Sequence, residues 1–185
     1  MYTFFFYTPT SGIWQSVWLE PLEDDFVEEI DIVSNVDNGT ITVTVVTSCG
    51  NKDLMNLEIV DGDQKVLSTK IKANEKVELC IGKKFKTWSP DSPHLYDLTV
   101  SLSSGDRVKT YFGMRKIEMK KMGKFQRVFL NNQELEFQIG LLDQGYWPDG
   151  ILTAPTDEAL KWDIEQTKKM GFNMIRKHIK IEPKR

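Results

Sequence analysis

Cysteine is scarce: the sequence holds two, Cys49 and Cys80, in no metal-binding or redox spacing. They are expected as reduced, partly buried thiols that pack as small hydrophobes, a disulfide between them being the lesser alternative. Long apolar runs are missing too. None approaches the roughly 20 residues that a membrane-spanning helix needs, so no membrane partner is expected. The opening Tyr2–Tyr7 is apolar, but no basic stretch precedes it and it is too short for a signal core. Positive charge is not in excess: 24 basic against 27 acidic residues give a net charge of -3, which leaves nothing to neutralise phosphates. Nucleic acid is therefore not an expected partner. There is no glycine-rich phosphate loop, no His/Cys metal cluster and no Gly-x-Ser-x-Gly elbow, so neither cofactor nor metal is expected.

What is present reads as a soluble globular protein, with 40% hydrophobic and 28% charged residues. The first 20 residues suggest two strands, Thr3–Tyr7 and Ile13–Leu19, about a turn of Thr, Pro, Ser and Gly. The acidic connector Glu23-Asp24-Asp25 follows Pro21 and marks a boundary. From there to Ile117 the signal is alternation with period two. Ile41, Val43 and Val45 alternate with threonines after the turn Asp37-Asn38-Gly39. Val77, Leu79 and Ile81 alternate with Glu78 and Cys80, and Leu98, Val100 and Leu102 with Thr99, Ser101 and Ser103. One side of each strand is thereby assigned to a core and the other to water, the antiparallel arrangement. The strands expected are Phe26–Ser34, Thr40–Thr47, Leu54–Val60, Lys65–Ile71, Val77–Ile81, Leu95–Leu102 and Arg107–Ile117. Seven short strands fit an immunoglobulin-like sandwich, without the Cys–Trp–Cys spacing of an antibody domain.

Past Lys121 the pattern changes. The four lysines of Lys116–Lys124 read as a solvated linker. Phe125–Leu130 and Glu134–Gln138 suggest a hairpin across Asn131-Asn132, and Gly140–Pro155 reads as irregular. A helix then follows, capped by Thr156, with Asp157 and Glu158 at its positive end, Lys168 and Lys169 at its negative end and Gly171 as C-cap. Leu160 and Ile164 mark its expected buried side. Phe172–Ile175 reads as a short strand, and helix plus strand make half of an α/β repeat.

Four stretches carry a family resemblance. Ser11-Gly12-Ile13-Trp14-Gln15-Ser16-Val17-Trp18-Leu19-Glu20 resembles the end of the sugar-binding jelly-roll domain of family 2 glycoside hydrolases, the group of β-galactosidases, β-glucuronidases and β-mannosidases. Trp88–Tyr96 and Phe112–Ile117 resemble the approach to the penultimate strand and the exit of that family's immunoglobulin-like domain. Phe129–Gln133, with Asp157–Arg176, resembles the opening of its catalytic (β/α)8 barrel. The resemblance implies three parts: residues 1–22 as the end of the jelly roll, 23–118 as the sandwich, and 119–185 as the first part of a truncated barrel.

It also implies a retaining β-glycosidase acting on carbohydrate, in which one carboxylic acid protonates the leaving oxygen while a carboxylate about 5 Å away attacks the anomeric carbon. In the family both are glutamates on later barrel strands, the acid following an Asn. No Asn-Glu pair follows Arg176, and Asn74-Glu75 reads as a turn in the sandwich. No catalytic residue is therefore expected in this chain, nor hydrolysis by it alone. The resemblance gives Arg176 the place of an arginine beneath the nucleophile, where a cation keeps a carboxylate ionised. His178 lies two positions after it rather than the three of many relatives. Asp143, Gln144, Tyr146, Trp147 and Asp149 fall where the loop of the first barrel strand belongs, and Trp147–Gly150 also reads as a plain turn. Trp14 and Trp18, four apart on one side of a strand, suit interdomain packing better than sugar stacking. The alternative to a glycosidase section is a stand-alone immunoglobulin-like module that binds carbohydrate or protein; only Trp88 and Tyr96 between residues 23 and 110 could furnish its aromatic row. Leu160, Ile164, Phe172, Met174 and Ile175 need apolar neighbours, so this segment is expected to be poorly ordered, folded back on the sandwich, or covered by self-association.

Overall fold

A computed structural model describes residues 10–50 and 54–182. Its contacts divide the chain into two compact units, Glu20–Leu135 and Met1–Leu19 with Glu136–Arg185. The Thr3–Tyr7 expectation lies outside the described residues.

The unit Glu20–Leu135 opens with the seven strands that alternation places there: β1 (Val27–Asn35), β2 (Thr40–Thr47), β3 (Leu54–Asp61), β4 (Gln64–Lys72), β5 (Lys76–Cys80), β6 (Tyr96–Ser101) and β7 (Arg107–Phe112). They form two antiparallel sheets, β1-β2-β5 and β4-β3-β6-β7. Their inner faces close on one core, so this part is an immunoglobulin-like sandwich. β4 stays with β3 because Gly62, with φ of 59°, lets the chain reverse within two residues, pairing Asp61 with Gln64. Ile41, Val43, Val45, Leu57, Ile59, Leu98 and Val100 have no exposed surface, while the threonines between those of β2 face outward. Each such side chain contributes about 1.5–3 kcal/mol of transfer free energy, and no disulfide is needed. β7 ends at Phe112, earlier than alternation suggests, because Met114 leaves the ladder to bridge Thr87 and accepts the Trp88 N–H at 2.9 Å.

Both cysteines are free, and both are exposed rather than partly buried. Cys80 occupies the outward phase of β5, where Leu79 points in, and Cys49 sits past the end of β2. Asn74, with φ of 58°, lies in the turn between β4 and β5 and donates its N–H to Val45 at 2.8 Å, so Asn74-Glu75 is a turn.

Gly39 is the tightest turn glycine of the sandwich. Its φ is 67°, and a Cβ there would stand 2.8 Å from the Gly82 carbonyl and 2.9 Å from the Phe85 ring. Strain in the left-handed region and a backbone collision act together. Gly39→Ala is expected to destabilise the sandwich by about 1–3 kcal/mol, read as a lower denaturant midpoint with an unchanged slope.

The lysine-rich stretch is not a linker. It forms β8 (Ile117–Met122), paired antiparallel with β9 (Phe125–Leu130), which in turn pairs with β10 (Gln133–Glu134). Two of the lysines misled because carboxylates answer them: Lys116 meets Asp37 at 2.7 Å, and Lys120 meets Glu118 at 2.6 Å. Lys120 also lies over the Phe129 ring, its stem covering apolar surface. Asn131 and Asn132 form the expected reversal, both with positive φ, although the returning strand is only Gln133–Glu134 rather than Glu134–Gln138. The Asn131 side chain spends its groups on the Lys116 N–H and the Trp88 carbonyl, tying this small sheet to the sandwich.

In the other unit, β11 (Gly140–Asp143) and β12 (Met174–Lys177) form a parallel pair joined through α1 (Asp157–Lys169). A strand thus stands inside the stretch that reads as irregular. It is missed because Gly140-Leu141-Leu142-Asp143 is too short to show a period. Thr156 caps α1 by accepting the Ala159 N–H, and Gly171, with φ of 88°, ends it. The Gly171 and Phe172 N–H groups return to Lys168 and Thr167, a Schellman closure. Ile164 is 60% exposed and is not on the inner side; that side is Leu160, Asp163, Gln166 and Thr167. β12 begins two residues later than Phe172 because Asn173 extends the ladder with its side chain, accepting from Ile139 and donating to Phe137. Ile13–Leu19 is not a strand. A strand needs a hydrogen-bonded neighbour, and none among the described residues pairs with it. Trp14 is half-buried and Trp18 is 72% exposed, so they do not share one side of a strand. No helix among the described residues is long and apolar enough to cross a membrane.

Candidate functional site

Two parallel strands end on the same edge, and that edge is where α/β barrels place their chemistry. Here it carries Asp143 at the end of β11 and Arg176 and Lys177 at the end of β12, with Leu142 paired to Arg176 and Asp143 to Lys177. Paired positions share a face of the sheet. Asp143 and Lys177 therefore lie on one face with Leu141 and Ile175, whereas Arg176 lies on the other with Leu142, Gly140 and Met174.

The first face looks towards α1. Asp143, Gln144, Tyr146 and Trp147 line a cleft of about 660 Å³ there, opposite Trp162 of α1. These four of the sequence-derived candidates are brought together. The remaining three are not. Arg176 is exposed on the other face, and Asp149 is exposed in the turn that Trp147 and Ile151 close with reciprocal backbone hydrogen bonds of 2.8 and 3.1 Å. His178 follows β12 and extends the ladder by donating its backbone N–H to the Asp143 carbonyl at 2.8 Å, and its Nδ1 is buried with no partner among the described residues. The Trp147 indole N–H is in the same condition.

The dominant electrostatic feature of the edge is one that sequence reasoning missed. Lys177 binds Asp143 at 2.6 Å and Glu182 at 2.8 Å, and Lys180 binds Glu182 at 3.0 Å and the Leu152 carbonyl at 2.7 Å. Only 3% of the Lys180 side chain is exposed. Both Asp143 oxygens are engaged, because the second accepts the Gly145 N–H at 2.6 Å. A signal was available: Lys177 follows Ile175 on the inward phase of a strand, and a lysine there must find a carboxylate. Gly145 is a glycine for the same cause. Its φ is 66°, and a Cβ would strike the Lys180 stem.

Lys177 bridges Asp143 and Glu182, so their bonded oxygens lie no more than 5.4 Å apart, close enough to raise the question of a retaining carboxylate pair. Glu182 cannot serve as the acid of such a pair. Burial pushes the Glu182 carboxyl up, but the hydrogen bonds from Lys177 and Lys180 outweigh it and hold the group below its ordinary 4.5. A general acid needs the opposite shift. Burial likewise pushes Lys177 down, while Asp143 and Glu182 together carry it above its ordinary 10.5.

The signs of these shifts set a pH window. The depressed Glu182 contributes stability above pH 4.5 that is lost as pH falls through its folded-state value; the raised Lys177 contributes below pH 10.5 and loses it as pH rises. Protection of the β11 and β12 amides, relative to their intrinsic exchange rate at each pH, is thus expected to be greatest between those limits. Glu182→Gln should flatten the acid limb and leave the alkaline limb in place, whereas an acid limb unchanged in that variant would assign it to other groups.

The sequence matches the family described as glycosyl hydrolases family 2 over residues 22–115, just over half of the chain. It is 24% identical over 180 residues to a beta-galactosidase of Thermoanaerobacter pseudethanolicus, covering 89% of this chain and 24% of that protein. It is 31% identical over 130 residues to a provisionally named beta-glucuronidase of Formosa agariphila, covering 65% of this chain and 12% of that one. Among solved structures, the fold is similar to the beta-glucuronidase of Ruminococcus gnavus, with a TM-score of 0.69, 16% identity, and coverage of 85% of this chain and 25% of the other. The chain thus spans about a quarter of the length of the first relatives it matches. With a match of that extent centred on the sandwich, the chain belongs to family 2 of the glycosyl hydrolases.

Proposed function

We propose that this chain serves a retaining β-glycosidase as its interdomain section. The sandwich is a structural spacer, and the β11–α1–β12 segment is the opening of the catalytic barrel. One observation carries the reading: a family 2 sandwich is followed in the same chain by a parallel strand–helix–strand unit whose strand ends hold polar and aromatic side chains. The substrate is then a β-linked sugar, bound at the strand-end edge. On this reading Arg176 lies beneath a nucleophilic carboxylate supplied by a later strand, and Asp143, with both oxygens engaged, holds its loop rather than reacting. The chain itself does not contain the two catalytic glutamates.

The purified chain is therefore expected to release no 4-nitrophenol from aryl β-galactosides or β-glucuronides above the level of a mock purification. Steady turnover that co-purifies with it would overturn the assignment of catalysis to other strands. Reading the frame on both sides of the gene segment is the complementary test. An Asn-Glu pair on a later barrel strand, with a second glutamate beyond it, supports the section; a stop codon directly after Arg185 would overturn it in favour of a stand-alone binding module. For that module Tyr96 is in the core and Trp88 is capped by Arg115 at 4.9 Å, so neither supplies an exposed aromatic row.

The face bearing Leu142, Met174 and Arg176 is open, Leu142 being 55% exposed. In the isolated chain this face self-associates, which sedimentation velocity would show as a concentration-dependent dimer and a constant monomer mass would refute.

A further inference from the structure

A second cleft lies at the same strand-end edge, about 840 Å³ in volume and lined among others by Ile13, Trp14, Leu152, Ile179, Lys180 and Ile181. Its unusual component is the segment ahead of the sandwich. That segment is held by three different contacts. The Thr153 hydroxyl donates to the Trp14 carbonyl at 2.9 Å, the Gln15 amide donates to the Ile181 carbonyl at 3.1 Å, and the Lys180 ammonium lies 5.3 Å from the centre of the Trp14 ring. Lys180 is the common element. It is almost fully buried, and its ammonium also holds Leu152 from the loop after β11 and Glu182 from the stretch after β12. A buried ammonium bonded at once to a carboxylate, a carbonyl and an aromatic face fixes all three segments relative to one another, because losing any partner would leave it desolvated and uncompensated.

We infer that Lys180 is a positioning residue that sets Trp14 as a wall of the sugar site, which makes Trp14 a specificity-determining residue contributed from outside the parallel strands. This rests on the glycosidase reading above, since it takes the strand-end edge as the sugar site. The chemistry fits a pyranose ring. The apolar C–H face of a β-linked sugar can lie against an indole, while the cleft's lysine charges are already answered by Asp143 and Glu182 and do not demand an anion.

The test uses the whole chain with its tryptophan indoles labelled with nitrogen-15, giving five signals, of which Trp14 is assigned by Trp14→Phe. Lys180→Met is expected to move the Trp14 signal and to speed exchange of the Ile151 and Thr153 amides about tenfold. Lys180→Arg, which keeps the cation, should restore both. A role for Lys180 limited to balancing Glu182 would leave the Trp14 signal in place, and that result overturns the positioning. The second arm needs no variant: phenyl β-galactoside and phenyl β-glucuronide are titrated to high millimolar concentration against the unaltered chain. A shift of the Trp14 signal with either supports the wall. No shift with both overturns it, while the glycosidase reading would still stand or fall on the reading frame and the turnover assay.

Discussion

Leu98→Ala is expected to lower the stability of the sandwich by about 2–5 kcal/mol. Leu98 has no exposed surface, sits on β6 in the middle of the four-stranded sheet, and pairs across the strands with Ile59, which is equally buried. The alanine removes the transfer free energy of three carbons and leaves a void that two strands fixed by hydrogen bonds on both sides can only partly close. Against a typical total of about 5–15 kcal/mol the loss is severe, and the melting temperature should fall by roughly 10–20 °C. Leu54→Ala is the control. The same residue type at the start of β3 is 55% exposed, and its loss should stay within about 0.5 kcal/mol. Equal effects at the two sites would mean that the core does not lie where alternation puts it.

The second large effect belongs to Gly140. A Cβ on this residue would run into the carbonyl of Met174, the residue it faces across the parallel pair. The obstruction is backbone, so no rotamer change relieves it. Gly140→Val is expected to separate β11 from β12 at a cost at the upper end of about 1–3 kcal/mol or beyond it, nearly all that a two-strand pair can spare. Hydrogen exchange should show the Asn173 and His178 amides, which flank the pair, losing protection while β2, β3 and β6 keep theirs. Protection lost equally in both units would show that they unfold as one, and retention in both would refute the close approach.

Legibility in the sequence followed the physics of each segment. Ile41, Val43 and Val45 between threonines leave one reading, since a slip of one residue would put three threonines in the core. The helix was equally plain, because Thr156 and Gly171 perform local chemistry that does not depend on the rest of the fold. β8 was hidden because Lys116 and Lys120 look solvated until Asp37, distant in sequence, and Glu118 are seen to answer them. Cys80 was judged by residue type when its place after Leu79 already turned it outward. Asp143, Gln144, Tyr146 and Trp147 could be named from the family resemblance, which puts a strand-end loop there, and they share one cleft. The Lys177–Glu182–Lys180 cluster could not be named that way. Ion pairs that join separate loops leave no period in a sequence, and only the register of β11 on β12 brings Asp143 to Lys177.

The order of strands in the larger sheet also has a consequence in time. β3 finds its hairpin partner β4 at once, but its other edge waits for β6, with Asn56 pairing to Ser101. A hairpin forms in about 1–10 μs, whereas a ribosome adding about 5–20 residues per second needs roughly 1–6 s to make the chain from Lys72 to Ser101. For those seconds the nascent β3–β4 hairpin presents an unpaired edge and the side chains of Leu57 and Ile59 to the cytosol or lumen around it. Holding factors would find their target there, and slow codons placed between β4 and β6 would lengthen the exposure without altering a single contact of the finished protein.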